Sequence, residues 1–317
     1  MSCHFVTGAS GFVGASLVRY LLEKREMVHV LVRRSDPPWR LRDIWHRITP
    51  HVADLSHFSS LERAVQLARP DFIHNLAAYG GHAHETNSVS VHDANLRGLE
   101  NLLRATQGMR LSLFLHAGSS SEYGVCTVPM REEMPLRPAN EYAQTKTAAT
   151  RLCLDTAQQE GRPIAVLRLF SPFGPYDSAD RLIPSIILSA RSGKTPTLRG
   201  GTQVRDYVFI KDVCEAFLQC AQFANRATGR VFNIGSGIQR KAADVATAAA
   251  RAAGFPSDPE ILPAQLSPTE SPVWVADITA AHEFLNWKPQ TPFDDGLRLT
   301  ADWFCQNHLL YEKLSAA

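Results

Sequence analysis

The sequence predicts an α/β protein: a doubly wound parallel sheet covered by helices on both faces, followed by a smaller C-terminal α/β lobe. Short β-rich runs alternate with helical patterns over the first half of the chain, which is the rhythm of parallel strands joined by helices. The first run leads through a glycine-rich turn directly into a helical pattern. After Leu169, prolines interrupt the alternation, and this change predicts the loops and mixed structure of the smaller lobe.

The predicted strands are short runs rich in β-branched, aromatic and other apolar residues. In chain order they are 5–6, 28–32, 49–52, 72–76, 113–117 and 164–169. One helical pattern runs from the glycine turn through Leu22, and another from about Tyr142 to about Gln159. We assign residues 1–170 to the sheet domain, with 203–235 returning to it, and 171–202 and 236–317 to the smaller lobe.

The turn after the first strand reads T-G-A-S-G-F-V-G over residues 7–14. A helix that begins directly after such a turn directs free backbone N–H groups and the positive end of its dipole at one spot, which suits a pyrophosphate. Gly8 permits the tight turn, Gly11 the close approach of phosphates and Gly14 close packing of the helix on the strand. The alternative is an ordinary glycine-rich turn. The pattern predicts a Rossmann-type dinucleotide site formed by Gly8, Ser10, Gly11, Phe12, Val13 and Gly14.

Tyr142 and Lys146 stand four residues apart at the start of a predicted helix, so that both side chains project from the same face. A free tyrosine titrates near pH ~10, and a neighbouring cation favours the phenolate, which lowers the pKa of the phenol. Such a group suits acid or base chemistry at an alcohol carbon. Taken alone, the pair is better explained by an exposed i,i+4 contact. The serine cluster 119–121 at the end of a predicted strand favours the chemical interpretation.

Composition excludes several classes of protein. The net charge is +2, with 33 basic and 31 acidic residues well mixed, so that no basic stripe for nucleic acid is expected. No apolar stretch reaches the length of a membrane span, and the start of the chain does not resemble a secretory signal. The six cysteines have no metal-ligand spacing and are expected to be buried thiols in a reducing compartment. We expect a cytoplasmic protein with no membrane, nucleic-acid or metal partner.

Further motifs carry a family resemblance that covers nearly the whole chain. They are N-L-A-A at 75–78, A-N-L-R-G-L-E-N-L-L around Asn95, G-S-S-S-E-Y-G at 118–124, Y-A-Q-T-K at 142–146, R-L-F-S-P-F-G-P at 168–175, R-D-Y-V-F-I-K-D-V at 205–213, F-N-I-G-S-G at 232–237 and L-N-W-K-P at 285–289. Together with the glycine turn, they resemble extended short-chain dehydrogenases/reductases of the sugar-nucleotide epimerase, dehydratase and reductase branch. The resemblance implies a Rossmann core, a C-terminal substrate lobe and a homodimer formed through a helix bundle.

The resemblance also implies roles for individual residues. Tyr142 is the catalytic acid/base, Lys146 lowers its pKa and binds the nicotinamide ribose, and Ser119 binds the substrate oxygen. Asn95 is either part of a proton relay or a buried polar anchor, and the anchor is favoured. The remaining cofactor contacts are the adenine pair Asp54 and Leu55, and Ala77, Ala78 and Pro172 at the nicotinamide end.

The end of the second strand favours NADP as the cofactor. Members that use NAD usually carry an acid there, which accepts hydrogen bonds from the ribose 2′-hydroxyl and repels a 2′-phosphate. Here Arg33 stands at that place and Arg34 follows it. A guanidinium binds phosphate through two parallel hydrogen bonds. In the alternative, both arginines are solvated, Asp36 contacts the ribose and NAD is the cofactor.

The serine cluster narrows the choice among the reaction types of the family. The 4,6-dehydratases of the family carry Asp-Glu directly after the place of Ser119, because they need a base and an acid; this chain has Ser120 and Ser121. These serines either face the substrate or only complete a turn. We expect an NADPH-dependent reductase of a nucleotide-linked 4-keto-6-deoxyhexose. The alternatives are an NAD-dependent 4-epimerase and, from another class, a non-catalytic NADP-sensing binding protein.

For the nucleotide sugar, Arg205 resembles the family arginine that binds the diphosphate, although a salt bridge to Asp206 or another acid is the alternative. Arg181 is a weaker candidate for the same pocket. A second family arginine is missing, because its place holds Val273, next to Trp274. Diphosphate binding is therefore expected to be weaker, differently arranged, or assisted by Arg240 or Lys241. Trp274 either stacks on a base or is packed. The loop from Tyr79 to His92 is expected to cover the sugar, with its histidines in solvent.

Overall fold

The computed structural model describes residues 1–82, 84–265 and 270–315, and side chains as far as residue 311. Its strands are β1 (Cys3–Thr7), β2 (Met27–Val32), β3 (Thr49–Val52), β4 (Phe72–Asn75), β5 (Leu113–Ser119), β6 (Ile164–Leu169), β7 (Ser171–Phe173), β8 (Thr197–Arg199), β9 (Val204–Phe209), β10 (Val231–Ile234), β11 (Gln239–Lys241) and β12 (Glu260–Leu262). All six predicted strands are present. The largest changes at a boundary are two residues: β1 begins at Cys3 rather than Phe5, and β5 runs on to Ser119.

Seven of these strands form one parallel sheet in the order β10-β6-β5-β4-β1-β2-β3. The central strands are buried on both faces: every residue of β1 and six of the seven residues of β5 are buried. Parallel strands covered on both sides have this nearly continuous apolar character. β3 lies at the edge, where Pro50 is tolerated because no neighbouring strand needs its missing N–H. The predicted Rossmann-type α/β fold is confirmed.

The α-helices cover both faces of this sheet. They are α1 (Phe12–Glu23), α2 (Phe58–Ala68), α3 (Ser88–His92), α4 (Gly98–Ala105), α5 (Glu141–Glu160), α6 (Leu182–Arg191), α7 (Ile210–Gln222), α8 (Ala224–Ala227), α9 (Ala242–Ala252), α10 (Thr279–Leu285) and α11 (Phe293–Ser315). Leu17 of α1 and Phe217 of α7 lie in the core on one face, and Leu61, Leu102 and Cys153 lie in the core on the other. Short 3₁₀ segments occupy Trp39–Arg47 and Ser120–Tyr123, and a π-helical segment occupies Asp93–Arg97.

Two small sheets lie outside the large one. The first has the order β11-β9-β7, with β9 parallel to β7 and antiparallel to β11. The second pairs β12 with β8. Within 203–235, β9 thus pairs in a small sheet, whereas β10 forms an edge of the large one and α7 packs on α1. The division into two lobes remains a proposal.

Among residues 1–82, 84–265 and 270–315, no helix combines the length and apolar character needed to cross a bilayer. All six cysteines are free thiols; Cys305 is half-buried and the other five are buried. Burial raises the pKa of Cys153 to about 12. A buried thiol with a raised pKa is a packing group rather than a nucleophile.

Candidate active site

The glycine turn at the carboxyl end of β1 has the tight geometry that the sequence predicts. Gly8 has a φ of +66°, and a Cβ on it would lie 2.5 Å from the backbone nitrogen of Ala77. A Cβ on Gly14 would lie 2.2 Å from the carbonyl oxygen of Gly8. Gly11 caps α1 without a side chain and donates its N–H to Gly8 O at 3.0 Å. Strand, turn and helix therefore approach at backbone distance, and the open N-terminus of α1 faces the cleft, which suits a pyrophosphate.

A cleft of about 540 Å³ opens over the carboxyl ends of the strands. Ligands of open α/β sheets bind at this edge. The predicted site residues that line the cleft are Gly8, Gly11, Phe12, Val13, Gly14, Ala78, Ser119, Tyr142, Lys146, Pro172, Arg181 and Arg205. The glycine turn and the Tyr-Lys pair, far apart in sequence, therefore face one space. The predicted residues outside this lining are Ser10, Arg33, Arg34, Asp54, Leu55, Ala77, Tyr79, Asn95, Ser120, Ser121 and Trp274.

Tyr142 and Lys146 lie in the first two turns of α5, whose N-terminus is capped by Asn140. The Asn140 side chain accepts the N–H of Ala143 at 2.9 Å. Lys146 is buried, and its Nζ donates to the carbonyl oxygen of Ala117 at 2.5 Å and lies 3.5 Å from His116 Nε2. The cation is thus fixed by β5 and cannot extend into solvent.

The electrostatics of the pair differ from the prediction. Burial raises the pKa of Tyr142, while the hydrogen bond with Ser119 and the charge of Arg181 act in the opposite direction. Burial lowers the pKa of Lys146 to about 8, because a buried ammonium loses its hydration. The expected lowering of the Tyr142 pKa is therefore not found in this structure: desolvation dominates, and the charge that opposes it is that of Arg181.

The serines after β5 form a short 3₁₀ turn. Ser119 Oγ lies 2.8 Å from Ser121 Oγ and accepts the N–H of Ser121 at 3.2 Å. Glu122 completes a capping box by accepting the N–H of Ser119 at 2.7 Å. Ser120 accepts a hydrogen bond from the indole N–H of Trp274 at 3.2 Å. Ser121 thus stabilises the turn, and Ser120 anchors a residue from the C-terminal part of the chain.

Glu122 also forms a buried ion pair that sequence reasoning did not single out. It is fully buried, and its carboxylate accepts from Arg168 Nε at 2.8 Å and from Thr150 Oγ1 at 3.1 Å. These contacts join the serine turn to α5 and β6. The acid nearest to the serines is therefore held in a buried ion pair with Arg168.

Asn95 anchors the loop after β4. Its amide accepts the N–H of Tyr79 at 3.0 Å and donates to Tyr79 O and Thr145 Oγ1, both at 2.9 Å. The side chain is buried and lies outside the lining of the cleft. These contacts correspond to the polar anchor favoured by the sequence: Asn95 fixes the backbone of Tyr79 against α5.

Arg33 and Arg34 follow β2 directly and are exposed. Asp54 follows β3 at the same sheet edge and accepts from the backbone N–H and hydroxyl of Ser56. Burial opposes ionisation of Asp54, but these hydrogen bonds and the nearby charge of Arg33 lower its pKa. Arg33 and Asp54 are thus near enough for the charge of one to affect the ionisation of the other. Leu55 packs against Gly98.

On the opposite side of the cleft, Arg205 pairs with Glu270 rather than with Asp206. Its guanidinium lies 4.5 Å from the ring centroid of Trp274, in cation–π contact. Asp206, one residue on, is buried and accepts the N–H groups of Ser236, Gly237 and Ala276. Arg181 donates to Gly81 O at 2.7 Å and thereby holds the loop over Tyr142.

Several lining residues were not predicted from the sequence. Tyr207 faces the cleft two residues after Arg205, and strand alternation could have identified it. Asp177 is buried there, and burial raises its pKa to about 7. Glu85 accepts the N–H groups of Gly80 and His82 at 2.9 and 3.1 Å. No local signal identifies Asp177 or Glu85, since both lie in irregular loops.

Of the loop histidines, His84 and His92 are exposed, as expected, whereas His82 is half-buried. His82 Nδ1 lies 3.0 Å from Asp180 Oδ2, and His84 Nδ1 lies 3.5 Å from the same atom. Asp180 is 98 positions from His82 in sequence, so that no spacing could have brought this carboxylate beside them. The contact holds the loop against the segment between β7 and α6.

Comparisons with known proteins point to one family. A protein of low-salt glycan biosynthesis, Agl12 of Haloferax volcanii, is 27% identical over 94% of this chain and 97% of its own length. dTDP-glucose 4,6-dehydratase 1 of Escherichia coli is 26% identical over 95% of this chain and 92% of its own. The structure of Thermus thermophilus UDP-glucose 4-epimerase, in complex with NAD, superposes with a TM-score of 0.84 at 26% identity, over 95% of this chain and 98% of that one. The model of the NAD dependent epimerase/dehydratase family matches residues 4–235. With its glycine turn and Tyr-Lys pair at one sheet edge, the chain belongs to the NAD-dependent epimerase/dehydratase family and is an enzyme of nucleotide-sugar modification.

Proposed function

We propose that this enzyme reduces the 4-keto group of a nucleotide-linked 4-keto-6-deoxyhexose with NADPH. The observation that carries the proposal is the placement of Ser119, Tyr142 and Lys146 in the cleft of the glycine turn, with Ser120 and Ser121 at the places where a dehydratase needs two carboxyl groups. Bound NADPH supplies the hydride. The glycine turn would hold its pyrophosphate, and Lys146 its nicotinamide ribose.

Tyr142 is the proton donor in this proposal. Reduction turns a carbonyl oxygen into an alkoxide, which must receive a proton. A phenol whose pKa is raised by burial is protonated at neutral pH and able to donate, whereas oxidation of an alcohol requires a base. The Ser119 hydroxyl, at the end of β5, orients the carbonyl oxygen toward Tyr142. Tyr142 can thus supply the proton that the reduced carbonyl oxygen requires.

The serine turn argues against dehydration. Removing a C5 proton and protonating the leaving C6 hydroxyl need a base and an acid, and serine hydroxyls serve neither purpose at neutral pH. Ser120 is already bonded to Trp274, and Ser121 to Ser119. The neighbouring acid, Glu122, is neutralised by Arg168. The relatives named as dehydratases therefore support the substrate class rather than this reaction.

Arg33 supports NADPH as the cofactor. It is exposed at the end of β2, beside Asp54, and is free to turn toward a 2′-phosphate. A guanidinium that binds phosphate at two points discriminates against a plain hydroxyl. NAD remains the alternative, and the NAD in the Thermus thermophilus epimerase complex favours it.

The proposal is tested by product analysis. Purified enzyme is incubated with dTDP-4-keto-6-deoxyglucose and NADPH or NADH, and products are separated by ion exchange and identified by NMR. We expect a dTDP-6-deoxyhexose, with NADP⁺ formed in equal amount and a clear preference for NADPH. Tyr142→Phe should lower turnover by a factor of roughly 10² to 10⁴ with cofactor binding unchanged, because only the proton donor is lost. Near-normal turnover by the variant would remove Tyr142 from the mechanism.

The second candidate is a nucleotide-sugar 4-epimerase, favoured by the structural match to the Thermus thermophilus enzyme. An epimerase retains its cofactor and needs no added reductant. Interconversion of UDP-glucose and UDP-galactose without added NADPH would establish it and contradict the reductase. Binding of NADPH with no turnover of any nucleotide sugar would instead favour a sensing protein.

A further inference from the structure

We propose that Arg240 is the second phosphate contact of the nucleotide site, beside Arg205, and that Glu270 occupies the place of the substrate diphosphate until the substrate displaces it. This inference rests on the proposed nucleotide-sugar substrate. It assigns a residue to the role left open by Val273, and decides between Arg240 and Lys241.

The strand register places the two arginines together. Arg240 of β11 is directly opposite Arg205 of β9 in an antiparallel pair. Side chains of directly opposed residues project from the same face of a sheet, with Cβ atoms about 4.5 to 5.5 Å apart. On β9, Arg205 alternates with the buried Val204 and Asp206, and shares its face with Tyr207, which lines the cleft. Arg240 therefore projects from the same face of the small sheet as Arg205 and Tyr207, next to the residues that line the cleft.

Lys241 is on the other face. It is opposite Val204 and is exposed, whereas Arg240 is half-buried. Successive residues of a strand point to opposite faces, so that Lys241 cannot reach the space in front of Arg205. Arg240 and Lys241 are thus neighbours in sequence, but only Arg240 shares the face of Arg205.

Aromatic rings orient both guanidinium groups. Arg205 lies over Trp274, and Arg240 lies 4.2 Å from the ring centroid of Phe293. Phe293 packs against Tyr207 and Phe173, and both of these line the cleft. Stacked guanidiniums keep their N–H donors in a fixed plane, which prepares them to bind phosphate oxygens.

The positive charges of Arg205 and Arg240 are only partly compensated by the protein. Like charges directly opposite each other on neighbouring strands are destabilising. Glu270 binds Arg205 through both carboxylate oxygens and thereby compensates one charge. Among the described residues, no carboxylate pairs with Arg240. A diphosphate carries the charge to neutralise both arginines, and Glu270 marks where one of its oxygens would bind.

Glu270 should also weaken the binding of a diphosphate. Its carboxylate competes with an anionic ligand for Arg205, so binding of a diphosphate must break the ion pair. The side chains are 32% and 19% exposed, which makes the pair partly screened and replaceable by a stronger double anion. Glu270→Gln should therefore strengthen binding of a nucleoside diphosphate.

The test measures binding of dTDP and of UDP by calorimetry, without cofactor or turnover. We expect Arg240→Gln to weaken binding about 10- to 100-fold, since it removes a charged hydrogen-bond contact. Arg240→Lys should recover part of this loss by restoring the charge without the fork. Lys241→Gln is the matched control and should bind as the wild type does, and Glu270→Gln should bind several-fold more tightly.

Equal binding by Arg240→Gln and the wild type, or an equal loss in Lys241→Gln, would overturn the assignment of Arg240. Unchanged or weaker binding by Glu270→Gln would overturn the role of Glu270. Thermal melting of each variant verifies that it is folded. Failure of the proposed reduction is seen separately, as the absence of a reduced sugar in the product analysis while nucleoside diphosphates still bind.

Discussion

At the scale of single residues, Lys146 determines the electrostatics of the site. Its ammonium is buried, bonded to the carbonyl oxygen of Ala117 and close to His116. Burial lowers its pKa to about 8 from the ordinary 10.5. Spacing places Lys146 one helical turn from Tyr142, but only packing against β5 reveals how strongly the cation is desolvated.

This desolvation predicts a pH-dependent stability. Between the folded pKa and the unfolded pKa, the unfolded chain binds one more proton, so stability rises with pH in that range. The destabilisation is therefore fully present below about pH 8 and disappears as the pH approaches 10.5. Lys146→Met should raise the free energy of unfolding by about 1 to 3 kcal/mol at roughly pH 7, and by less at roughly pH 10.

Urea unfolding of cofactor-free protein at the two pH values measures this effect. The informative quantity is the difference between variant and wild type at each pH, because other groups titrate in both proteins. A difference that stays constant or widens toward alkaline pH would show that burial of the charged Lys146 side chain does not destabilise the folded protein.

At the scale of elements, the turn between β1 and α1 separates two functions of glycine. Gly14 is required by packing, since a Cβ there would meet Gly8 O at 2.2 Å. Gly11 has an ordinary extended backbone with φ −76°, and its Cβ would lie at 3.2 Å from the same oxygen. One glycine serves the fold, and the other leaves the helix N-terminus open.

Alanine at each position should separate these functions. Gly14→Ala should lower the free energy of unfolding by about 2 to 4 kcal/mol, because backbone must move to admit the methyl group. Gly11→Ala should retain near wild-type stability but bind NADPH at least about tenfold more weakly, because its methyl group obstructs the phosphates. Chemical denaturation and fluorescence titration measure the two effects. Equal losses of stability in both variants would contradict this division.

At the scale of the whole molecule, Arg40 joins the glycine turn to the segment between β7 and α6. Its guanidinium donates to Ser10 O at 3.1 Å, to Tyr176 O at 2.8 Å and to Ser178 Oγ at 3.2 Å. Ser178 lines the cleft. Tyr311 of α11 reaches the same segment and donates to Asp177 O at 2.7 Å. These contacts fix the width of the cleft where the cofactor would lie.

Removing this connection should affect stability and cofactor binding together. Arg40→Ala should lower the free energy of unfolding by about 1 to 3 kcal/mol and weaken NADPH binding, because three carbonyl and hydroxyl acceptors lose their donor. Arg42→Ala is the matched control, since Arg42 is exposed on the same segment. Thermal melting and NADPH titration measure both effects. An Arg40→Ala variant that matches Arg42→Ala in both would show that Arg40 does not hold the cleft.

The family and the large sheet were predictable because their signals are local. Apolar runs at 113–117 and 164–169 mark buried strands, and the glycines of residues 7–14 need particular backbone geometry that only neighbouring residues define. The i,i+4 spacing of Tyr142 and Lys146 likewise places both on one helix face. Each of these patterns depends only on residues that are close in sequence. The sequence by itself therefore determined the strands, the glycine turn and the Tyr-Lys pair.

The tertiary structure alone decided which charges meet. Arg205 was expected to bind a diphosphate or a local acid, and its partner is Glu270, 65 positions away. Asp180 reaches His82, and Arg240 stands opposite Arg205, only because irregular segments pack over the sheet edge. The pKa of Tyr142 depends in the same way on burial. Long-range contacts and desolvation are properties of the folded chain, so no local pattern encodes them.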